Sequence, residues 1–280
     1  MIPTRLHSPQ ERFTRMLPLQ DLPDAVLACI DGLFLDIDDT LTTDGTLTAD
    51  AYAALEALQK GGLRVIPITG RPAGWCDHFA RMWPVDAVVG ENGAFYFWHD
   101  QDAGKLRQRF LADAATRAAN AARLGTIAAD LLQAVPGCAL ASDQFCRIAD
   151  IAIDFCEDVP PLPRSEVERI AALMRERGMT AKVSSIHVNG WFGNYDKLSM
   201  TRMLMQERYG IDLDSLRERY AFIGDSPNDE PMFGYFPHAV GVANVAEFAA
   251  GMTHPPAYVT PGRGGAGFVQ LAQRLLSARG

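Results

Sequence analysis

The chain has 280 residues, 48% hydrophobic and 21% charged, which suits a globular protein with a sizeable core and excludes disordered, collagen-like or coiled-coil classes. Twenty-six Lys+Arg against 34 Asp+Glu leave a formal net charge of −8. That balance argues against nucleic acid as a partner, since phosphate backbones are bound by basic surfaces. No apolar run approaches the roughly 18–20 residues that span a bilayer, so no membrane partner is expected.

Residues 1–30 carry Arg5, Glu11, Arg12, Arg15, Asp21 and Asp24 and no apolar stretch of signal-peptide length, and they read as an N-terminal extension. Five cysteines (Cys29, Cys76, Cys138, Cys146, Cys156) form an odd set without metal-ligand spacing. Buried reduced thiols and a cytoplasmic location are the expectation.

An apolar strand, Leu33-Phe34-Leu35, runs into the acidic cluster Asp36-Ile37-Asp38-Asp39. A helix over Thr48–Gly61 follows, with Tyr52, Leu55 and Leu58 on one face and Gly61-Gly62 as its stop. The next strand, Leu63–Ile68, ends at Thr69-Gly70-Arg71-Pro72; another helix leads to a strand at Asp86–Val89. Such alternation predicts α/β architecture, a doubly wound, Rossmann-like parallel sheet with functional residues at its strand ends. From about residue 100 the rhythm changes: a helical stretch over Lys105–Val135, strands at Cys138–Cys146 and Arg147–Phe155, a helix over Ser165–Arg177, and strands around Lys182–Val188 and Gly190–Phe192. The order αββαββ predicts an inserted α+β unit over residues 100–193, splitting a core of 31–99 and 194–280. The first rhythm then resumes with a helix over 197–209, strands at Tyr220–Ile223 and Ala239–Val242, and a last helix from Phe268.

Asp36 and Asp38 lie two residues apart where a strand opens into a loop. A carboxylate there can attack phosphorus, and a neighbouring acid can protonate the leaving oxygen. An isolated Asp-x-Asp is usually only a solvated turn. Here Gly224-Asp225-Ser226-Pro227-Asn228-Asp229 adds two carboxylates after a second apolar strand, and hard oxygen ligands from separate loops suit Mg²⁺. Thr69 offers a hydroxyl and nearby backbone N–H groups to phosphate oxygens, and Lys197 could set a cation beside the nucleophile.

In order, Asp36-Ile37-Asp38-Asp39-Thr40, the Thr69-Gly70-Arg71-Pro72 segment, Lys197 and Gly224–Asp229 resemble the four motifs of the haloacid dehalogenase (HAD) superfamily over roughly residues 30–275. The inserted unit resembles the large caps of its sugar-phosphate-phosphatase, Cof-type branch (subfamily IIB). The resemblance implies Asp36 as nucleophile and Asp38 as general acid, then base. It implies Thr69 and Lys197 at the phosphoryl group, and Mg²⁺ held by Asp36, the Asp38 carbonyl and Asp225, with Asp229 in support. Asp39 stands where many relatives have Gly and is expected to point outward. Gly70, Arg71 and Asn92 (in Glu91-Asn92-Gly93-Ala94) are candidate substrate contacts. So is the polar and aromatic run His187, Asn189, Trp191 and Asn194, although half-buried strand alternation explains it as well. Gly262-Arg263-Gly264-Gly265-Ala266-Gly267 fits GxGxxG literally, but lacks the βαβ unit and later acidic residue of a dinucleotide site, and reads as the lead into the final helix.

The expectation is a Mg²⁺-dependent phosphatase of small phosphorylated metabolites, monomeric or homodimeric. A sugar phosphomutase using the same residues and a catalytically silent sugar-phosphate-binding protein are the alternatives. Dehalogenase chemistry is disfavoured by Asp38 and the Asp225/Asp229 pair.

Overall fold

A computed structural model describes residues 16–280; the first half of the expected N-terminal extension lies outside the described residues. Residues 16–30 are no appendage. Strand β1 (Leu17–Pro18) joins the main sheet at its edge, helix α1 (Asp24–Leu27) follows, and Leu19, Leu22, Leu27 and Ile30 are buried. Arg274 clamps this segment by donating to the carbonyls of Leu19 (2.6 Å) and Leu22 (2.9 Å).

Strand β2 (Gly32–Leu35), helix α2 (Ala49–Lys60), strand β3 (Arg64–Pro67), helix α3 (Ala73–Met82) and strand β4 (Val88–Gly90) alternate as the apolar runs predict. Thr48 caps α2 by accepting from the Ala51 N–H (3.3 Å), and Ala51, Leu55 and Leu58 form its buried face. Tyr52 instead turns outward, its hydroxyl donating to the Met82 carbonyl (3.0 Å).

The expected helix from Lys105 is corrected. Strand β5 (Phe95–Asp100) and strand β6 (Lys105–Phe110) form an antiparallel hairpin that continues from β4, turning at Gly104 with φ +60°. The alternation Leu106, Gln108, Phe110 was masked by Ala- and Arg-rich sequence downstream. Helix α4 (Ala114–Ala134) starts only where Asp113 accepts from the Thr116 N–H (2.7 Å), and it runs through Gly125 unbroken. The 99/100 boundary falls within this hairpin, and we place the start of the cap after Phe110.

Strand β7 (Ala139–Leu140), strand β8 (Asp150–Asp154), helix α5 (Arg164–Glu176), strand β9 (Thr180–Val183) and strand β10 (His187–Trp191) complete the cap, whose antiparallel sheet runs β7-β8-β10-β9. The expected strand over Cys138–Cys146 is mostly loop, with a 3-10 turn at Gln144–Cys146, and Ser184–Ile186 breaks the one expected over Lys182–Val188. Ile151, Ile153 and Val188 pack beneath α4 and α5. Strict alternation sends Asp150, His187 and Asn189 to the opposite face, which meets the core.

Helix α6 (Lys197–Tyr209), helix α7 (Leu213–Leu216), strand β11 (Tyr220–Gly224), helix α8 (Glu230–Tyr235), strand β12 (Ala239–Gly241), strand β13 (Tyr258–Val259) and helix α9 (Gly264–Ser277) close the chain. The last helix begins four residues before Phe268. The main sheet is parallel throughout, in the order β1-β13-β12-β11-β2-β3. Leu33 and Leu35 face α2 and α9; Phe34 faces the layer of α6 and α8, against Tyr220 and Phe236. Both faces are covered, which is why these strands read as nearly continuous apolar runs. Among the described residues, no helix is long and apolar enough to cross a membrane. The five cysteines are free, but only Cys76 is buried and Cys29 is exposed, so the expectation of buried thiols holds for one of them.

Candidate active site

The carboxyl ends of β2 and β11 lie side by side. Leu35 pairs with Ile223 and the Asp36 N–H donates to the Ile223 carbonyl (2.9 Å), so the register alone delivers Asp36 and Asp225 to one crevice. Lys197 opens α6, its ammonium 2.7 Å from Asp36 Oδ1 and 2.7 Å from Asp229 Oδ1. All three side chains are buried. Asp229 Oδ2 turns back to accept the N–H groups of Asp225 (3.0 Å) and Ser226 (3.4 Å). Gly224 makes that fold possible, because a Cβ there would come within 2.3 Å of Asp229 Oδ2.

Carboxylate oxygens of Asp36, Asp225 and Asp229 lie within 4.8 Å of one another, and Asp225 Oδ1 is buried without a hydrogen-bond partner. Three carboxylates face one ammonium. Burial, aided by the Asp229 and Asp38 charges, overcomes the opposing pull of Lys197 and pushes the Asp36 carboxyl up to about 8. Burial and the Asp36 and Asp229 charges likewise drive Asp225 well above the carboxylate range. Lys197 moves up, since Asp229 and Asp36 outweigh the cost of its burial. An orphaned oxygen within an all-oxygen, anion-excess set fits a hard divalent cation such as Mg²⁺. Asn244, which follows β12, steadies this set: its amide donates to the Asp39 carbonyl (2.9 Å) and to Asp225 Oδ2 (3.4 Å).

Asp38 turns away from these three carboxylates. Arg71 grips it in a fork, with Nε 2.9 and 3.0 Å from its two oxygens and Nη2 2.7 Å from Oδ1. The same guanidinium reaches Glu157 Oε1 (2.9 Å) and Asp143 Oδ2 (3.4 Å) on the cap. Glu157 Oε2 sits 2.8 Å from His187 Nε2, and this close His187 contact, then Arg71, hold the Glu157 carboxyl down at about 2. Thr69 is fully buried, its hydroxyl accepting from the Arg71 N–H (3.0 Å).

Asp39 does not point outward. It holds φ +56°, the left-handed conformation that explains Gly at this place in relatives, and with Ser185 of the cap it lines a cleft of about 180 Å³ that reaches Asp225. The glycine-rich Gly262–Gly267 segment leads into α9, and its Arg263 and Gly264 line the same cleft. Its Gly264 (φ +48°) lets the start of α9 close on the loop after Asp38, where the Gly265 N–H meets the Thr42 carbonyl (3.1 Å).

Around Gly70 the predicted substrate contacts divide. Asn92 is buried at φ +54°, both amide atoms unpartnered, and a Cβ on Gly70 would stand 3.2 Å from it and 3.6 Å from Asn189 Oδ1. Asn189 donates to Asp150 (3.1 Å). Trp191 is not an open platform for a sugar ring: it is buried, stacked on Tyr195 with ring centroids 5.5 Å apart. Asn194 sits exposed in the loop beyond β10.

Sequence reasoning missed the seam holding cap to core. Glu91 is buried in the core and accepts the N–H groups of Ala73 (3.0 Å), Ile148 (2.9 Å), Ala149 (2.6 Å) and Asp150 (3.2 Å). Beside it Arg147 joins Asp143 (3.2 Å), Asp150 (3.1 Å) and the Gly70 carbonyl (2.9 Å). Gly93 seats the Glu91 loop on the start of α6, since a Cβ there would strike the Asp196 carbonyl at 2.1 Å. Asn244, just past a strand end, was findable by the strand-end rule. Glu157, Asp143 and Arg147 carry no local signal that separates them from surface charge.

Residues 33–121 match the family model of haloacid dehalogenase-like hydrolases. That stretch, which runs from β2 into α4, is therefore similar to this family. No curated protein matches it by sequence. Among solved structures, the chain is similar to the C-terminal domain of trehalose-6-phosphate phosphatase from C. albicans (TM-score 0.70, 14% identity, 95% of this chain and 99% of that one). It is similar to a protein from Thermoplasma acidophilum (TM-score 0.66, 19% identity, 88% and 98%). A sugar phosphatase of HAD subclass IIB also resembles it (TM-score 0.57, 15% identity, 82% and 94%). At these identities the likeness establishes the fold.

Proposed function

We propose that the protein is a Mg²⁺-dependent phosphatase of small phosphorylated metabolites, sugar phosphates in particular. The observation that carries this reading is the buried Lys197 ammonium bridging Asp36 and Asp229, with Asp225 and its orphaned oxygen alongside. Asp36, the Asp38 carbonyl and Asp225 would hold the cation, with Asp229 in support; when bound it offsets the repulsion between carboxylates and the phosphoryl dianion.

In this reading an Asp36 oxygen forms a bond to phosphorus while the bond to the leaving oxygen breaks, and Asp38 gives that oxygen its proton. Water then attacks the aspartyl phosphate, its proton passing to Asp38, and phosphate departs as the Asp36 carboxylate is restored. Lys197 balances charge on the nucleophile and the phosphoryl group. Thr69 accepts from the Arg71 N–H and keeps its own hydroxyl proton for a phosphoryl oxygen. The unpartnered amide of Asn92, with Asn189 nearby, suits hydroxyl groups of a polyol. The trehalose-phosphate and sugar phosphatases among the similar structures support that substrate class. Free thiols fit a reducing compartment, the cytoplasm.

The test is inorganic phosphate release from a panel of sugar phosphates, with Mg²⁺ or EDTA, beside Asp36→Asn. Mg²⁺-dependent release by the parent alone is expected. Release at the parent rate by Asp36→Asn would overturn the mechanism.

A further inference from the structure

Every nitrogen of the Arg71 guanidinium is already engaged. Nε and Nη2 fork onto Asp38, Nη2 also reaches Glu157, Nη1 reaches Asp143, and the Trp75 ring covers a face at 4.5 Å. The side chain is only 7% exposed. Four of its five N–H groups are spent on carboxylates, leaving a single Nη1 N–H, so the expected substrate contact at Arg71 is better read as a link. It belongs to the core beside Asp38, whereas Asp143 and Glu157 belong to the cap. Glu157 does not reach it by chance. Asp154, at the end of β8, accepts the N–H groups of Cys156 (2.9 Å), Glu157 (2.8 Å) and Asp158 (2.8 Å), fastening the turn that aims Glu157 inward, and His187 holds its second oxygen.

We propose that Glu157 and Arg71 are positioning residues that make the orientation of Asp38 depend on the seating of the cap. With the cap seated, Asp143 and Glu157 fix two nitrogens of the guanidinium, and its fork fixes the Asp38 carboxyl. When the cap lifts, both cap carboxylates leave, and Asp38 is held by a side chain free to change rotamer. The inference rests on the phosphatase reading, in which Asp38 gives the proton that the leaving oxygen needs as its bond to phosphorus breaks. Its consequence is selective. A sugar alkoxide cannot leave without that proton, whereas a nitrophenolate can, so misplacing Asp38 penalises sugar esters over aryl esters.

Glu157→Gln, nearly isosteric, and Arg71→Lys, which keeps the charge and loses the fork, are compared with the parent on glucose 6-phosphate and para-nitrophenyl phosphate. The value of kcat/KM reads the first irreversible step, formation of the phosphoryl-enzyme. In both variants the sugar-to-aryl ratio of kcat/KM is expected to fall roughly 10–100-fold, part of the 10²–10⁴ that a general acid supplies. A merely structural role lowers both substrates together, and an unchanged ratio overturns the proposal. Amide hydrogen exchange gives a readout without turnover: the Ile148, Ala149 and Asp150 amides, which sit on Glu91, should exchange faster in Glu157→Gln. If the parent hydrolyses neither ester, the phosphatase reading fails, and exchange at these amides decides the link by itself; parent-like rates overturn it.

Discussion

Replacing Asp36, the proposed nucleophile, should stabilise the protein while ending the proposed chemistry. Asp36, buried beside Asp229 and Asp38, has its carboxyl pushed up to about 8 from 3.8, with burial the largest cause. The unfolded chain therefore gives up this proton near pH 4, and the folded chain only near pH 8. Stability from this group is complete below pH 4 and is lost as pH rises between those values. At 1.36 kcal/mol per pH unit, the cost at pH 7 reaches about 4 kcal/mol, and relaxation of neighbouring carboxylates brings it into a range of about 2–4 kcal/mol. Asp36→Asn keeps an oxygen for Lys197 and removes the charge. In EDTA at pH 7 its melting temperature should exceed the parent's by roughly 4–10 °C, at ~2–3 °C per kcal/mol for a chain of this size. The gap should shrink to about 1 kcal/mol by pH 5. Saturating Mg²⁺ should narrow it as well, because the cation stabilises the parent carboxylate more than the amide. Differential scanning calorimetry across pH, with and without metal, makes the comparison. A variant no more stable than the parent in EDTA at pH 7 would refute the reasoning that this site holds excess negative charge.

Lys197→Met leaves two buried carboxylates without their cation and should cost about 3–5 kcal/mol in chemical denaturation, besides abolishing phosphate release. Glu91→Ala strands four backbone N–H groups at the cap seam; at about 1–3 kcal/mol for each left dry, and with water replacing some, roughly 3–6 kcal/mol should be lost, read by urea unfolding. Asn244→Ala removes the amide that steadies Asp225, and Mg²⁺ affinity measured by calorimetric titration should weaken roughly 10–100-fold with the fold intact. Adding Mg²⁺ at about 100 times its dissociation constant should stabilise the parent by about 2.7 kcal/mol, and a melting temperature indifferent to Mg²⁺ would count against the metal assignment.

Much of this protein is written in local pattern. Leu33–Leu35 and Tyr220–Ile223 are apolar on both faces because helices cover both, and each runs into a carboxylate, Asp36 directly and Asp225 after Gly224, so the buried acidic cluster is readable from strand-then-aspartate runs alone. Thr69 and Lys197 are legible only because they stand in order between those runs. Where composition and periodicity disagreed, pattern failed. The Ala- and Arg-rich stretch after Lys105 looked helical throughout, yet its first six residues alternate and pair with Phe95–Asp100, a non-local contact that propensity does not register. The first described residues read as an extension, although β1 finds its partner in β13, some 240 positions along the chain.

The make-up of the site, carboxylates at two strand ends with a lysine further along the chain, follows from the sequence by itself, since residue type and strand-end position are local properties. What tertiary structure alone decided is the use made of ordinary charges. Arg71 became a bridge from Asp38 to the cap, Glu91 a clasp for the Ile148–Asp150 amides, and Trp191 a packed wall, because each role depends on which groups meet it across the seam between core and cap. Burial then set their strength, since a charge out of water must find its partners in the protein, and those partners come from segments distant in sequence.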